Sequence, residues 1–238
     1  MGDRMRYQNF TVEIDADGIA LVTWDMPGRS MNLLDGKTIE DAVEEVMPRL
    51  EGAYSTVVMT KHAIVAFRDP HGIRPLSLGR LDDRFVVASE SCAFDIIGAE
   101  LMREVHPGEM VSLTLRGLES RQVVKGVRRS TCVFEHIYFS RPDSRMEGMV
   151  LQQARGRMGE ILWRKSPVDA DLVISVPDSG NPAAAGFARA SGLPRDDGLI
   201  KNRYVARTFI QPGQELRKHG LRLKFNPLAE VAGQRIVV

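Results

Sequence analysis

The chain reads as an α+β fold followed by an α/β fold, and three stretches predict this. Between Ala53 and Leu115, short apolar runs alternate with polar turns around one brief helical segment, the pattern of an antiparallel layer. The run Leu172-Val173-Ile174-Ser175-Val176 is almost wholly apolar and breaks at Pro177-Asp178-Ser179-Gly180-Asn181-Pro182 into the small residues Ala183 to Ala188, as a buried strand feeding a helix does. Ile236-Val237-Val238 opens a second buried run, so a parallel sheet is expected there.

Each element follows from local pattern. Phe10, Val12 and Ile14 alternate, Asp15-Ala16-Asp17-Gly18 supplies a turn, and Ile19 to Trp24 return, which predicts a hairpin over 7–25. Thr38 with Asp41 three residues on has the spacing of a capping box for a helix to Met47, where Pro48 stops it. Ala53 to Met59 and Ala63 to Phe67 predict a second hairpin with Lys61-His62 at its tip. Leu76 to Gly79 and Phe85 to Ser89 read as strands, Ala93 to Met102 as a short helix, and Glu109 to Leu115 as a strand. Residues 116–131 are polar and weakly patterned, as a connection is. Val150 to Arg164 has helical period, with Leu151, Met158, Ile161 and Leu162 available to one face. The strand over 171–176 and the helix over 182–190 complete the series.

Composition bounds the function. A length of 238 residues with 43% hydrophobic content is ample for a core, and a net charge of +1 gives no support to nucleic-acid or membrane-surface binding. The N-terminus has no apolar signal segment and no run approaches membrane-span length, so a cytoplasmic protein without a membrane partner is expected. The two cysteines, Cys92 and Cys132, cannot form a disulfide framework and suit a reducing compartment.

The stretch from Asp171 to Lys224 carries most of the chemistry. A strand, a tight turn and a helix start aim backbone N–H groups and a helix dipole at an anion. Seven Lys or Arg lie between Lys201 and Lys224 against a single acid, Glu215. Asp178, Ser179 and Gly180 can form a pyrophosphate-holding loop, with Ser179 offering a hydroxyl to phosphate or Mg²⁺; the same residues also make ordinary turns. Lys201, Arg203 and Arg207 can clamp phosphates, with Tyr204 and Phe209 interleaved, or can form a solvated charged face. Arg68-Asp69 and Arg74 around Gly72 read as a charged turn bracing strands or as a substrate-positioning loop. None of the five histidines makes a ligand pair, and Cys132 stands alone, as a buried thiol or a metal ligand.

Several segments resemble one family. Gly52-Ala53-Tyr54-Ser55, Phe67 through Arg68-Asp69-Pro70-His71-Gly72-Ile73-Arg74-Pro75 to Leu76, Val87-Ala88-Ser89-Glu90-Ser91, and Phe134-Glu135-His136-Ile137-Tyr138-Phe139-Ser140-Arg141-Pro142-Asp143-Ser144 resemble amidophosphoribosyltransferase, as do the turn at 177–180 and the basic segment. The resemblance covers about residues 36–238. It implies a partial N-terminal-nucleophile glutaminase layer joined to the first part of a type I phosphoribosyltransferase parallel sheet. The domain division it implies is 36–131 for the glutaminase part, 132–165 for a connecting segment and helix, and 166–238 for the transferase part.

By the same resemblance the reaction joins glutamine and phosphoribosyl pyrophosphate to give phosphoribosylamine, the first step of de novo purine synthesis, in a homo-oligomer. Asp178, Ser179 and Gly180 match the pyrophosphate loop, with Ser179 at the Mg²⁺ position, and Lys201 to Arg222 matches a flexible loop that closes over substrate, placing Lys201, Arg203, Tyr204 and Arg207 at the ligand. Cys132 matches a first ligand in members that carry a [4Fe-4S] cluster. The Met-Cys-Gly start that supplies the glutaminase nucleophile in that family, and the acidic loop that follows Val238, are not in this sequence, so a fragment inactive in both half-reactions, marginally stable or associating through exposed edges, is expected. Residues 7–35, with Ala20-Leu21-Val22-Thr23-Trp24-Asp25-Met26-Pro27, resemble instead the start of a crotonase-type enzyme, which makes 1–35 a separate segment. An enoyl-CoA hydratase-like protein and a non-catalytic phosphate-binding module are the alternative readings.

Overall fold

The computed structural model describes residues 4–6, 10–14 and 20–24 by their backbone, and residues 36–205 and 213–238 in full. They fall into two compact units, Met1–Glu135 and His136–Val238.

The first unit opens with β1 (Arg4–Arg6), β2 (Phe10–Ile14) and β3 (Ala20–Trp24), an antiparallel sheet in that order. Its β2–β3 register, Phe10 against Trp24 and Ile14 against Ala20, is that of the expected hairpin, whose turn lies outside the described residues. Helix α1 (Gly36–Val46) starts earlier than the capping-box reading placed it. Thr38 is therefore buried inside the first turn, and Asp41 is buried too, reached by Lys37 at 2.7 Å. Pro48 sits in the 3₁₀ turn Met47–Arg49 that ends the helix.

Four antiparallel strands make the central sheet in the order β10-β9-β5-β4: β4 (Ser55–Met59), β5 (Ala63–Arg68), β9 (Glu109–Thr114) and β10 (Gly117–Gln122). A three-stranded sheet, β7-β6-β8, is built from β6 (Ser77–Leu81), β7 (Arg84–Ala88) and β8 (Glu100–Glu104). Strand period 2 sends Val65, Phe67 and Met110 to one face of the central sheet, where they bury Val43 and Met47 of the α1 region. Ala66, Val111 and Leu113 point the other way and pack with Leu76, Leu78 and Val105, with Phe85 and Val87 of the second sheet against them. The unit is thus helix, sheet and sheet in layers.

Two expectations needed correction here. The helix expected over 93–102 is only α2 (Cys92–Ile97), because Gly98 takes a left-handed φ of 72° and returns its N–H to the last turn. Glu100–Glu104 then pairs with β6 as β8. The supposed connection after Leu115 contains β10, which folds back on β9 through the two-residue turn Leu115-Arg116.

Ionised groups are enclosed in this unit. Arg68 is 1% exposed, and its guanidinium donates to the carbonyls of Arg74 (2.7 Å), Gly72 (3.0 Å) and Val105 (2.8 Å). Asp69 accepts the N–H groups of His71 and Ile73 at 2.9 Å, so the charged turn braces strands. Glu109 of β9 takes both terminal nitrogens of Arg103 from β8, at 2.8 and 2.6 Å, the His106 N–H at 2.6 Å and the Ser120 hydroxyl of β10. Burial pushes the Glu109 carboxyl up, but the hydrogen bonds from Arg103, Ser120 and His106 outweigh it and hold the group below its ordinary value.

The second unit contains a short hairpin, β11 (Arg145–Met146) and β12 (Met149–Val150), then α3 (Leu151–Lys165). β13 (Leu172–Val173) runs parallel to β16 (Ile236–Val237), with α4 (Asn181–Ser191) following β13. β14 (Leu199–Lys201) pairs antiparallel with β15 (Phe225–Pro227), and α5 (Gln214–Lys224) lies between them in sequence. The core is Val173, Ala184, Phe187 and Ala188, with Trp163 edge-on to Phe187 at 5.5 Å.

Here too the sequence misleads in places. The strand expected over 171–176 has two paired residues. Met158, Ile161 and Leu162 do not form the packed face of α3; they are exposed, and the buried positions are Leu151, Arg155, Gly156 and Gly159. The reason is backbone proximity. A Cβ on Gly159 would stand 1.9 Å from the Ala183 carbonyl oxygen, and one on Gly186 would stand 1.9 Å from that of Gly156. Arg155 is buried below this seam and donates to the carbonyls of His136 (2.6 Å) and Ser140 (2.7 Å).

Two outcomes follow for stability. Glu109→Gln is expected to cost about 3 kcal/mol in chemical denaturation at neutral pH, since Arg103 loses its charged partner. Because the folded-state pKa of Glu109 lies below its ordinary 4.5, its contribution is complete above that value and fades as pH falls through the folded value. The melting temperature of the wild type should therefore drop more steeply below about pH 4.5 than that of Glu109→Gln; parallel curves would dismiss the coupling. Gly186→Ala on an open helix face would stabilise by about 1 kcal/mol. Against the Gly156 carbonyl it is expected to destabilise by about 3 kcal/mol, and a variant as stable as the wild type would refute the tight seam.

Candidate functional site

The turn at 177–180, expected from the sequence to hold an anion, is built by what precedes and follows it. Val173 and Ile174 are anchored in the parallel pair, where the Ile174 N–H donates to Val237 at 2.8 Å. The chain then leaves the sheet at Ser175, whose hydroxyl donates to the Asn181 side-chain oxygen. Pro177 to Gly180 form the turn, with a cis peptide bond between Pro177 and Asp178. Gly180 donates to the Val176 carbonyl at 3.2 Å, and a Cβ there would stand 2.8 Å from that oxygen, so only glycine closes the turn. Pro182 occupies the first turn of α4, where its missing N–H costs nothing. This is the strand, turn and helix start expected from the sequence.

Lys201 completes the arrangement. Val173 donates to Pro194 and accepts from Asp196, which lays the chain beside β13 on its way into β14. At the end of β14 the Lys201 ammonium reaches the Asp178 carboxylate at 2.7 Å. The other expected ligands are not gathered there. Arg203 is exposed and Tyr204 is 100% exposed, its N–H held by the Asn202 side chain at 3.0 Å. Arg207 lies outside the described residues. The expected loop of 201–222 is corrected at its far end, where residues from Gln214 on form α5. Leu216 and Leu223, seven residues apart, share one face of that helix, a signal the charge count obscured.

Sequence reading missed a clasp at the foot of the sheet. Asp171 and Arg235 directly precede the paired residues Leu172 and Ile236, so parallel register sets them side by side. Arg235 donates to Asp171 from its backbone N–H (2.9 Å), Nε (3.1 Å) and terminal nitrogen (2.6 Å), and it also bonds Asp169. The hydrogen bonds from Arg235 hold the Asp171 carboxyl at a pKa of about 2.

Cys132 is half-buried and free, its N–H bonded to Ile73, while Cys92 is buried in α2. Among the described residues no group of three or more His, Cys, Asp or Glu is placed to hold a metal ion.

Comparisons with known proteins agree on one family. A profile for the glutamine amidotransferase domain matches residues 31–95. The amidophosphoribosyltransferase of Synechocystis is 56% identical over 79% of this chain and 39% of its own. That of Bacillus subtilis is 46% identical over 84% and 42%, and that of Archaeoglobus fulgidus 43% identical over 100% and 53%. The chain is homologous to amidophosphoribosyltransferase over most of its length.

It spans about half, or less, of the length of these amidophosphoribosyltransferases. Solved structures agree. The allosteric regulatory enzyme of purine biosynthesis superimposes with a TM-score of 0.76 at 46% identity over 85% of this chain and 44% of that one. Glutamine phosphoribosylpyrophosphate amidotransferase from B. subtilis, complexed with ADP and GMP, gives 0.76 at 42% identity over 88% and 49%. The mixed sheets and helices of both units fit this likeness to amidophosphoribosyltransferase. The crotonase resemblance of residues 7–35 is not shown by these comparisons, and the Archaeoglobus alignment extends over the whole chain.

Proposed function

We propose that the chain supplies the glutaminase-type layer and the phosphate-binding start of a type I phosphoribosyltransferase sheet in an amidophosphoribosyltransferase. The reaction is ammonia transfer from glutamine to phosphoribosyl pyrophosphate, opening de novo purine synthesis. The observation that carries this reading is the Lys201 ammonium set at the Asp178-Ser179-Gly180 turn. A strand–turn–helix start with a cation delivered by the next strand is the arrangement that receives a diphosphate.

The turn offers backbone N–H groups and the Ser179 hydroxyl, Lys201 acts as a point charge, and exposed Arg203 and Tyr204 are free of packing that would hold them from a ligand. Arg207 is assigned to the same ligand by homology. The oxygen donors Ser179 and Asp178 fit a hard cation such as Mg²⁺, which when bound offsets the charge of a departing pyrophosphate. A [4Fe-4S] cluster does not fit the chain by itself, since two cysteines supply at most half of four thiolate ligands. A cytoplasmic homo-oligomer is the setting proposed from homology; no helix among the described residues is long and apolar enough to cross a membrane. The enoyl-CoA hydratase reading is not favoured.

Calorimetric titration with phosphoribosyl pyrophosphate and Mg²⁺ should give saturable binding that Lys201→Met weakens about tenfold. No binding by the wild type, or equal binding by Lys201→Met, would remove the turn from the reading. Ammonia-dependent consumption of phosphoribosyl pyrophosphate distinguishes a catalytic chain from a module that only binds.

A further inference from the structure

Among the described residues, the edge strands of the first unit are not defended alike. β10 carries Glu119, Arg121 and Gln122, β8 carries Glu100, Arg103 and Glu104, and β7 opens on Arg84. Charges of this kind keep an unpaired edge from accepting another strand. β4 lies at the edge of the central sheet opposite β10 and reads Ser55-Thr56-Val57-Val58-Met59, with no charge, proline or glycine. Its register with β5 runs unbroken from Ser55 against Arg68 to Met59 against Ile64, so no bulge turns the edge away. Val58 packs on the α1 side of the sheet. Val57 and Met59 point to the other face and are 47% and 78% exposed.

The backbone of β4 is set for a further strand. The Asp69 N–H donates to Tyr54 at 2.9 Å and the Thr60 N–H to Ala63 at 2.8 Å, one bond at each end of the β4–β5 ladder. Antiparallel ladders alternate, so Thr56 and Val58 turn their N–H and C=O groups to β5, and Ser55, Val57 and Met59 turn theirs outward. We propose that β4 is the interface for a second copy of this chain, paired antiparallel about a two-fold axis at Val57. That axis sets Val57 against its own counterpart and Ser55 against Met59. These are the residues with outward groups, so the backbone bonds and the symmetry agree on one register. The same axis brings the Lys61 end of each strand to the Glu51 end of the other, and both side chains are exposed. A strand of unrelated sequence would take the backbone bonds but not this match of charge at both ends. Pairing consumes the β4 edge of both copies and leaves the charged β10 edges outermost, so assembly closes at the dimer.

The test is sedimentation equilibrium of the 238-residue chain across micromolar concentrations, with circular dichroism to establish that each variant is folded. The wild type is expected to shift from monomer to dimer as concentration rises. Val57→Lys sets like charges opposite one another at the axis and should stay monomeric throughout. Lys61→Glu should weaken the dimer about tenfold. Lys61→Glu combined with Glu51→Lys should restore it, because reversing both ends keeps them opposite in sign. Both charge positions lie outside the strand, so this reversal decides the matter even where Val57→Lys fails to fold. A wild type that remains monomeric overturns the pairing. So does a dimer that survives in folded Val57→Lys, or a double reversal no better than Lys61→Glu alone.

Discussion

The position of the turn that opens α4 depends on backbone contact between α3 and α4. Gly159 lies against the Ala183 carbonyl and Gly186 against that of Gly156, so at these two points the helices meet backbone to backbone. Ala183 is in the first turn of α4, three residues after Gly180. Whatever fixes Ala183 fixes the N–H groups and dipole at the start of α4. A seam of apolar side chains would leave α4 free to slide by the slack of its rotamers. Contact between backbones permits little slack. The Arg189–Glu160 pair at 3.1 Å closes the exposed edge of the same seam.

The first unit meets a different constraint, the enclosure of charge between two sheets. Arg68 and Glu109 are each 1% exposed, and burying an ion costs several kcal/mol before its partners are counted. Neither is a net stabiliser relative to a well-packed apolar residue. Each is directional, however. Arg68 reaches the carbonyls of Gly72, Arg74 and Val105 together, which fits only one path for the turn after β5. Glu109 reaches β8 and β10 from β9, and this fixes the bulged β6–β8 pairing relative to the central sheet. Apolar contacts alone would tolerate a shifted register. The buried charges do not.

What could be read in the sequence divides along the same line. Elements with clear periodicity were legible: the hairpins at 10–24 and 55–68, and the helices at 151–165 and 181–191, the last bounded by Gly180 and Gly192. β8 was misread because Leu101 and Met102 extend the apolar spacing of α2, and only the left-handed turn at Gly98 separates them. β10 was missed because an edge strand with Glu119, Arg121 and Gln122 has almost no apolar alternation. The buried face of α3 was misassigned for a physical reason: hydrophobic pattern finds faces that bury side chains, and this face buries backbone. Gly156 and Gly159, three residues apart in α3, with Gly186 in the following helix, were the available signal.

For the site, the strand–turn–helix was legible and its electrostatic state was not. Counting charge between 201 and 224 counts Lys201 as free, whereas the fold sets it against an acid 23 residues earlier. Proximity of that kind is created by the pairing of Val173 with the chain around Arg195, a long-range contact with no local pattern. The consequence reaches beyond bookkeeping of charge. A basic segment with all its cations unpaired attracts any polyanion in proportion to its charge. In this segment the first lysine is held by the Asp178 carboxylate, so the charge it presents is smaller than the sequence count.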